Sequence, residues 1–196
     1  MAGRRSQVLD AAVRVLGEQG ARALTHRAVD SEGDLPAGTT SNYFRTRDAL
    51  LAGILGCLFE RETAAFSSLA GEPRPVSVEE LAGRFGVMLR QLAGPARSLT
   101  LARHAIFLEA AHSDALRAAL LEWSQKMWAF SADWLGAVGS PEPVLHARQL
   151  LAFGDGLLID RLARGGDDEF APEAALVALL RSWVGVEKSV EEAVDN

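Results

Sequence analysis

Residues 24–51 read LTHRAVDSEGDLPAGTTSNYFRTRDALL, and the fold follows from how this stretch is read. Thr25 is a strong helix N-cap, because its hydroxyl can accept one of the unpaired amides of the first turn. His26 to Glu32 then make about two helical turns, with Ala28 and Val29 apolar and Arg27, Asp30 and Glu32 polar. Gly33-Asp34 stops this helix, since glycine tolerates the left-handed backbone of a tight turn. Pro36 restarts one, its fixed φ and missing N–H suiting a first-turn position. Ala37-Gly38-Thr39-Thr40-Ser41-Asn42-Tyr43 follows, with small side chains, hydroxyls and one amide, and little to bury before Tyr43-Phe44. A helix without an apolar stripe is a poor core element but can lie against a polar surface. That is the outline of a helix-turn-helix whose second helix fits a DNA major groove.

The same residues carry a family resemblance. Thr25-His26-Arg27, the apolar pair Ala28-Val29, the turn Gly33-Asp34, then Gly38-Thr39, Tyr43-Phe44, Arg47 and Leu50-Leu51 resemble the DNA-binding head of TetR-family transcriptional regulators. The match covers about the first quarter of the chain, and its combined spacing is the specific part. It departs from the family pattern in two places: the turn glycine comes one position early, and Ser41 stands where an aromatic is common.

The resemblance implies that Pro36 to Tyr43 form the recognition helix, including Ser41. Ala37, Gly38, Thr39, Thr40 and Asn42 would face bases or the groove floor. Asn42 is the foremost candidate for base readout, because an amide can pair bidentately with adenine. Gly38 would allow close backbone approach. Thr25, Arg27, Tyr43 and Arg47 would clamp phosphates, contacts that position without specifying sequence. Packing beside Phe44 is the competing reading for Tyr43, and Phe44 itself reads as core.

Working outward, 196 residues are ample for a buried core, and 48% hydrophobic with 23% charged is an ordinary globular balance. The net charge of −6 is unevenly spread: residues 1–50 hold seven arginines against six acids, and the acidic excess lies beyond them. Such a head implies weak non-specific DNA binding, since few phosphates are neutralised. No run approaches the roughly 18 apolar residues of a membrane span. The N-terminus lacks the apolar core of a signal peptide. The single cysteine, Cys57, excludes an internal disulfide and fits a reducing cytoplasm, and it reads as a small buried apolar residue.

Residues 4–19 form a first helix with Val8, Leu9, Ala12, Val13 and Leu16 on one face, ended by Gly20. Thr46 caps a long helix to Leu69 whose buried side includes Ala49, Leu50, Ile54, Leu58 and Phe66. Gly71 to Pro75 is a clear break. Ser77 with Glu80 makes a capping box for a helix to Ala93 with Leu81, Phe85, Met88 and Leu92 on one side. Further helices run over 97–111, from after the break His112-Ser113-Asp114 to Val138, and over 143–164 and 172–187, the last two separated by a loop at 165–169. The longest of these repeats Leu116, Leu120, Trp123, Met127, Phe130 and Trp134, with a second row at Leu121, Trp128 and Leu135, so it must be covered over a wide arc. No period-two run predicts a strand. The chain therefore reads as all-α, about nine helices: a helix-turn-helix head (1–48) joined by a long helix to a larger effector-binding and dimerisation domain (49–196).

Chemistry is sparse. His104 and His112, eight residues apart on a helix, are separated by roughly 12 Å and cannot share a metal. Gly154-Asp155-Gly156 lacks the third glycine and the preceding strand of a dinucleotide site, and reads better as close helix–helix approach. No catalytic motif, metal or cofactor is implied. The resemblance implies instead a small-molecule effector, with Phe85, Met88, Phe107, Trp123, Met127 and Trp128 candidates to line its site and His104 a polar partner. Core filling is the competing reading for each. The two C-terminal helices, apolar over more than one face, imply a homodimer reading a palindromic operator in double-stranded DNA, with Leu150, Gly154, Leu157, Leu158, Leu176, Leu180 and Trp183 at the interface. The expectation is a cytoplasmic, effector-released repressor. A regulator of the same fold under a protein partner, and a helical carrier or enzyme that does not bind DNA, are the alternatives.

Overall fold

The computed structural model describes residues 3–165 and 170–185, with the backbone alone for residues 65–70. Residues 166–169 of the expected loop, residues 186–187 of the expected last helix and the Phe66 side chain lie outside the described residues. Among those described there are nine α-helices and no strand: α1 (Arg4–Arg14), α2 (His26–Glu32), α3 (Thr39–Tyr43), α4 (Arg47–Ala70), α5 (Val78–Ala93), α6 (Arg97–Ala110), α7 (Asp114–Ala137), α8 (Pro143–Arg164) and α9 (Glu173–Val184). The all-helical expectation is met. The chain divides into two compact units, residues 1–69 with 96–123, and residues 70–95 with 124–196.

The first unit is built on α1. Val8, Ala11, Ala12, Val15 and Leu16 are essentially fully buried, and Leu50, Leu51, Ile54, Leu55 and Leu58 of α4 close the same core with Ala102 and Ile106 of α6. Each such valine, leucine or isoleucine side chain contributes about 1.5–3 kcal/mol when fully buried. Thr46 caps α4 as expected, its hydroxyl accepting from Ala49 N–H at 3.1 Å.

The first helix is not uniform. Its last turn, Val15–Gln19, is π-helical before Gly20 ends it at φ 82°. Gly17 sits in this turn, and a Cβ there would overlap the carbonyl oxygen and Oγ of Ser98. The wider turn and the missing side chain together allow α6 to approach α1 closely, which periodicity alone does not reveal.

In the second unit Ser77 caps α5 by accepting from Glu80 N–H at 3.1 Å, and Glu80 reaches back to Val76 N–H at 2.9 Å. The buried stripe of α5 is Leu81, Ala82, Phe85, Gly86 and Leu89, with Met88 half-buried. On α7 the expected rows hold at Met127, Trp134 and Leu135, while Leu121, in the first unit, is 48% exposed.

Candidate nucleic-acid interface

Thr25 caps α2 through Ala28 N–H at 3.1 Å, and Val29 and Asp30 are the buried residues of this helix. Val29 anchors α2 in the core, and Arg14 of α1 ties down its end by pairing with Glu32 at 2.8 Å.

The turn differs from expectation. Gly33 has an ordinary φ of −86°, and the left-handed residue is Asp34 at φ 48°. A short polar side chain tolerates that region better than most. Gly33 is there for space: a Cβ would lie 3.0 Å from the Leu35 side chain and 3.1 Å from Ala11 Cβ. Pro36 does not begin the next helix. Pro36-Ala37-Gly38 is a turn, in which Thr39 N–H and Oγ1 both bond Pro36 O (3.0 and 2.6 Å) and Gly38 takes φ 87°. The helix expected to face DNA is therefore only Thr39–Tyr43.

Asp30 holds that short helix in place. One carboxylate oxygen accepts Gly38 N–H at 2.8 Å, and the other accepts Thr40 N–H at 2.8 Å and Thr40 Oγ1–H at 2.6 Å. Burial pushes the Asp30 carboxyl up, but the bonds from Thr40 and Gly38 together outweigh it and hold the group below its ordinary value. Reading the sequence as a polar position on α2 missed this role. The available signal was a carboxylate six residues before the proline of the turn.

Thr40, expected at the groove, is fully buried, with its hydroxyl committed to Asp30. It supports the helix from behind and cannot reach a base. Pro36, Ala37, Gly38, Ser41, Asn42 and Tyr43 are exposed, and Thr39 is half-buried. Tyr43 is 46% exposed while Phe44 is buried with the Arg5 guanidinium over its ring at 5.3 Å, so the adjacent aromatics part company. Thr25 and Arg27 are also exposed, at the start of α2.

Arg47, although exposed, is already engaged within the chain. Its guanidinium donates to both carboxylate oxygens of Glu109 on α6 at 3.0 and 3.1 Å, and to Ala21 O at 3.1 Å. The hydrogen bond from Arg47 is the main reason the Glu109 carboxyl stays below its ordinary value.

The expected effector residues are divided between the units. In the first, Trp123 stacks on Phe59 of α4, ring centroids 4.8 Å apart and nearly parallel. His104 meets Phe107 edge-on at 6.0 Å, and Arg103 stands over the Phe107 ring at 5.6 Å. Arg103, buried, also pairs with Glu62 at 3.7 Å. In the second unit Phe85 and Met127 are buried, Met88 is half-buried, and Trp128 lies under the Arg148 guanidinium at 4.2 Å. Phe59, Glu62 and Arg103 were not singled out from sequence, because one aromatic and two charges on helices carry no pattern of their own.

The expected dimer residues need correcting. Leu150, Gly154, Leu158, Leu176 and Leu180 are buried within the chain and cannot meet a partner. Gly154 faces α5, where a Cβ would stand 3.4 Å from the Leu89 side chain. Leu157 is half-buried, and so is Trp183, which stacks on His146 at 4.4 Å. The large apolar side chains of α8 that stay exposed are Val144, Leu145 and Ile159. Helical periodicity assigns residues to faces but does not say which face the subunit itself covers.

Residues 76–186, more than half of the chain, match the family model of the tetracyclin repressor-like C-terminal domain. The chain belongs to the TetR family. A member of the TetR family from Streptomyces coelicolor A3 is 30% identical over 93% of this chain and 99% of that one, with a TM-score of 0.68. Multidrug binding protein EbrR in complex with ethidium is 28% identical, covering 93% and 99% of the two chains, TM-score 0.69. In complex with malachite green the figures are 29%, 93%, 99% and 0.64. No curated protein matches the chain. The TetR-family assignment thus comes from the body as well as from the head.

Proposed function

We propose that this TetR-family regulator is a homodimeric, cytoplasmic repressor that a small-molecule effector releases from a palindromic operator. Its head, residues 1–48, reads DNA, and residues 49–196 sense the effector and dimerise. The observation that carries this reading is the exposed row Ser41, Asn42 and Tyr43 on a helix clasped from behind by Asp30. Asn42 reads a base, Tyr43 with Thr25 and Arg27 holds phosphates, and Gly38 brings the backbone close. Selection of duplexes from a randomised pool, followed by gel shift with Asn42→Ala, tests it: the substitution should cost about 1–3 kcal/mol at one base position.

The α6 helix supports the release step. Glu109, which holds Arg47, shares α6 with Arg103, His104 and Phe107, so a molecule displacing α6 would also change what Arg47 can reach. Half-buried Glu62 and the flat Phe59–Trp123 stack suit an aromatic cation, in keeping with the ethidium and malachite green complexes of EbrR. Malachite green is the better probe, since ethidium intercalates into the DNA itself. It should raise the melting temperature of the DNA-free protein and dissociate the operator complex. Thermal shift with no change at saturating dye would remove this effector class.

A further inference from the structure

The DNA-facing helix cannot position itself. α3 has five residues, and helices this short do not persist on their own hydrogen bonds. Its N-cap, Gly38, offers no side chain. The donors at its N-terminus that would otherwise go unpaired instead converge on one residue of the preceding helix: Gly38 N–H, Thr40 N–H and Thr40 Oγ1–H all reach the Asp30 carboxylate at 2.6–2.8 Å. Asp30 is 5% exposed and Thr40 0%, so water does not compete for these bonds. The helix carrying Asp30 is itself fixed, by fully buried Val29 and by the Arg14–Glu32 pair.

We propose that Asp30 is the positioning residue of the interface: its carboxylate sets the angle and register at which Ser41, Asn42 and Tyr43 meet the groove. The proposal rests on α3 being the DNA-reading helix. A carboxylate is needed because all three partners are donors. In an amide, one of the two acceptor oxygens becomes an NH2 facing an N–H, and at least one bond is lost. Asp30 touches no DNA in this scheme; it determines discrimination between sequences through the helix it holds.

The test compares wild type, Asp30→Asn, Thr40→Val and Thr40→Ser. Each is titrated, over a salt series, with a duplex selected by the wild-type chain from a randomised pool and with a scrambled duplex of equal length. Charge-assisted hydrogen bonds support an expected loss of about tenfold or more in the selected-to-scrambled ratio for Asp30→Asn. Thr40→Val should lose severalfold, and Thr40→Ser, which keeps the hydroxyl, should match wild type. Affinity for the scrambled duplex and the salt slope should stay at wild-type values, because no phosphate-binding cation has been removed. Circular dichroism checks folding, and if Asp30→Asn does not fold, the Thr40→Val and Thr40→Ser pair decides. Undiminished discrimination in Asp30→Asn, or in Thr40→Val where Asp30→Asn is unfolded, overturns the proposal alone. A wild-type chain that enriches no sequence overturns the DNA-reading assignment and the proposal with it.

Discussion

Arg47 and Glu109, sixty-two positions apart, form a two-pronged ion pair with bonds of 3.0 and 3.1 Å between the start of α4 and the end of α6. The guanidinium that the helix-turn-helix pattern assigns to a phosphate is held by a carboxylate of the same chain. Both side chains are about a third or more exposed, and such pairs contribute modestly. In the proposed DNA complex a phosphate would compete with Glu109 for Arg47.

Glu109→Gln removes one competitor. The expected result is tighter operator binding, by up to about fivefold, the range of an exposed pair. Arg47→Ala should weaken binding and reduce the salt slope by about one unit. Fluorescence anisotropy over a salt series reads both. Weaker binding by Glu109→Gln would mean that the pair supports the DNA-bound form.

Asp30 gives the head an acid-labile joint. Its carboxyl lies below its ordinary value in the folded chain, so the stability it contributes is fully present above the unfolded-state pKa. It is lost as the pH falls through the lower, folded-state pKa. His26, one turn away on α2, also favours the charged carboxylate. Far-ultraviolet circular dichroism against pH should show an acid limb that Asp30→Asn flattens, at the cost of lower stability near neutrality. Identical limbs for the two proteins would contradict a native-state role for the carboxylate.

Gly17 should be intolerant of substitution. A methyl group there overlaps the Ser98 backbone, which can give way only if α6 moves off the π-helical turn. Overpacking of this kind costs about 1–3 kcal/mol. Gly17→Ala should therefore lower the thermal midpoint, whereas Gly56→Ala, with nothing within 4 Å of its Cβ position, should not. Equal midpoints for the two variants would refute the close approach.

The dimer is proposed to use what α8 leaves uncovered. Ile159→Glu, at a side chain 50% exposed, should dissociate it without unfolding the subunit. Leu158→Glu, at a fully buried one, should unfold it. Analytical ultracentrifugation at micromolar concentration distinguishes these outcomes, and a wild-type species of about 21 kDa that is independent of concentration would rule the dimer out.

These cases show where the sequence was legible. Caps are local chemistry, so Thr25, Thr46 and Ser77 cap as expected, and the apolar rows place α4 and α7 except at Ala49 and Leu121, which are exposed. The span Pro36–Tyr43 expected for α3 is too long, because proline at a first turn is a tendency and here Gly38 at φ 87° opens the helix instead. The inward turn of Thr40 and the hold of Glu109 on Arg47 were invisible, since each depends on a partner brought in by tertiary packing. The same holds for Leu150 and Leu176, whose burial is decided by which neighbour covers them.

Selection of bound duplexes from a randomised pool by the wild-type chain, read by sequencing and gel shift, is the most direct test of DNA-reading by α3. A palindromic motif should emerge, bound by two chains, with one base in each half-site relaxed by Asn42→Ala. Enrichment of no motif, or a motif bound unchanged by Asn42→Ala and Tyr43→Ala alike, would contradict it.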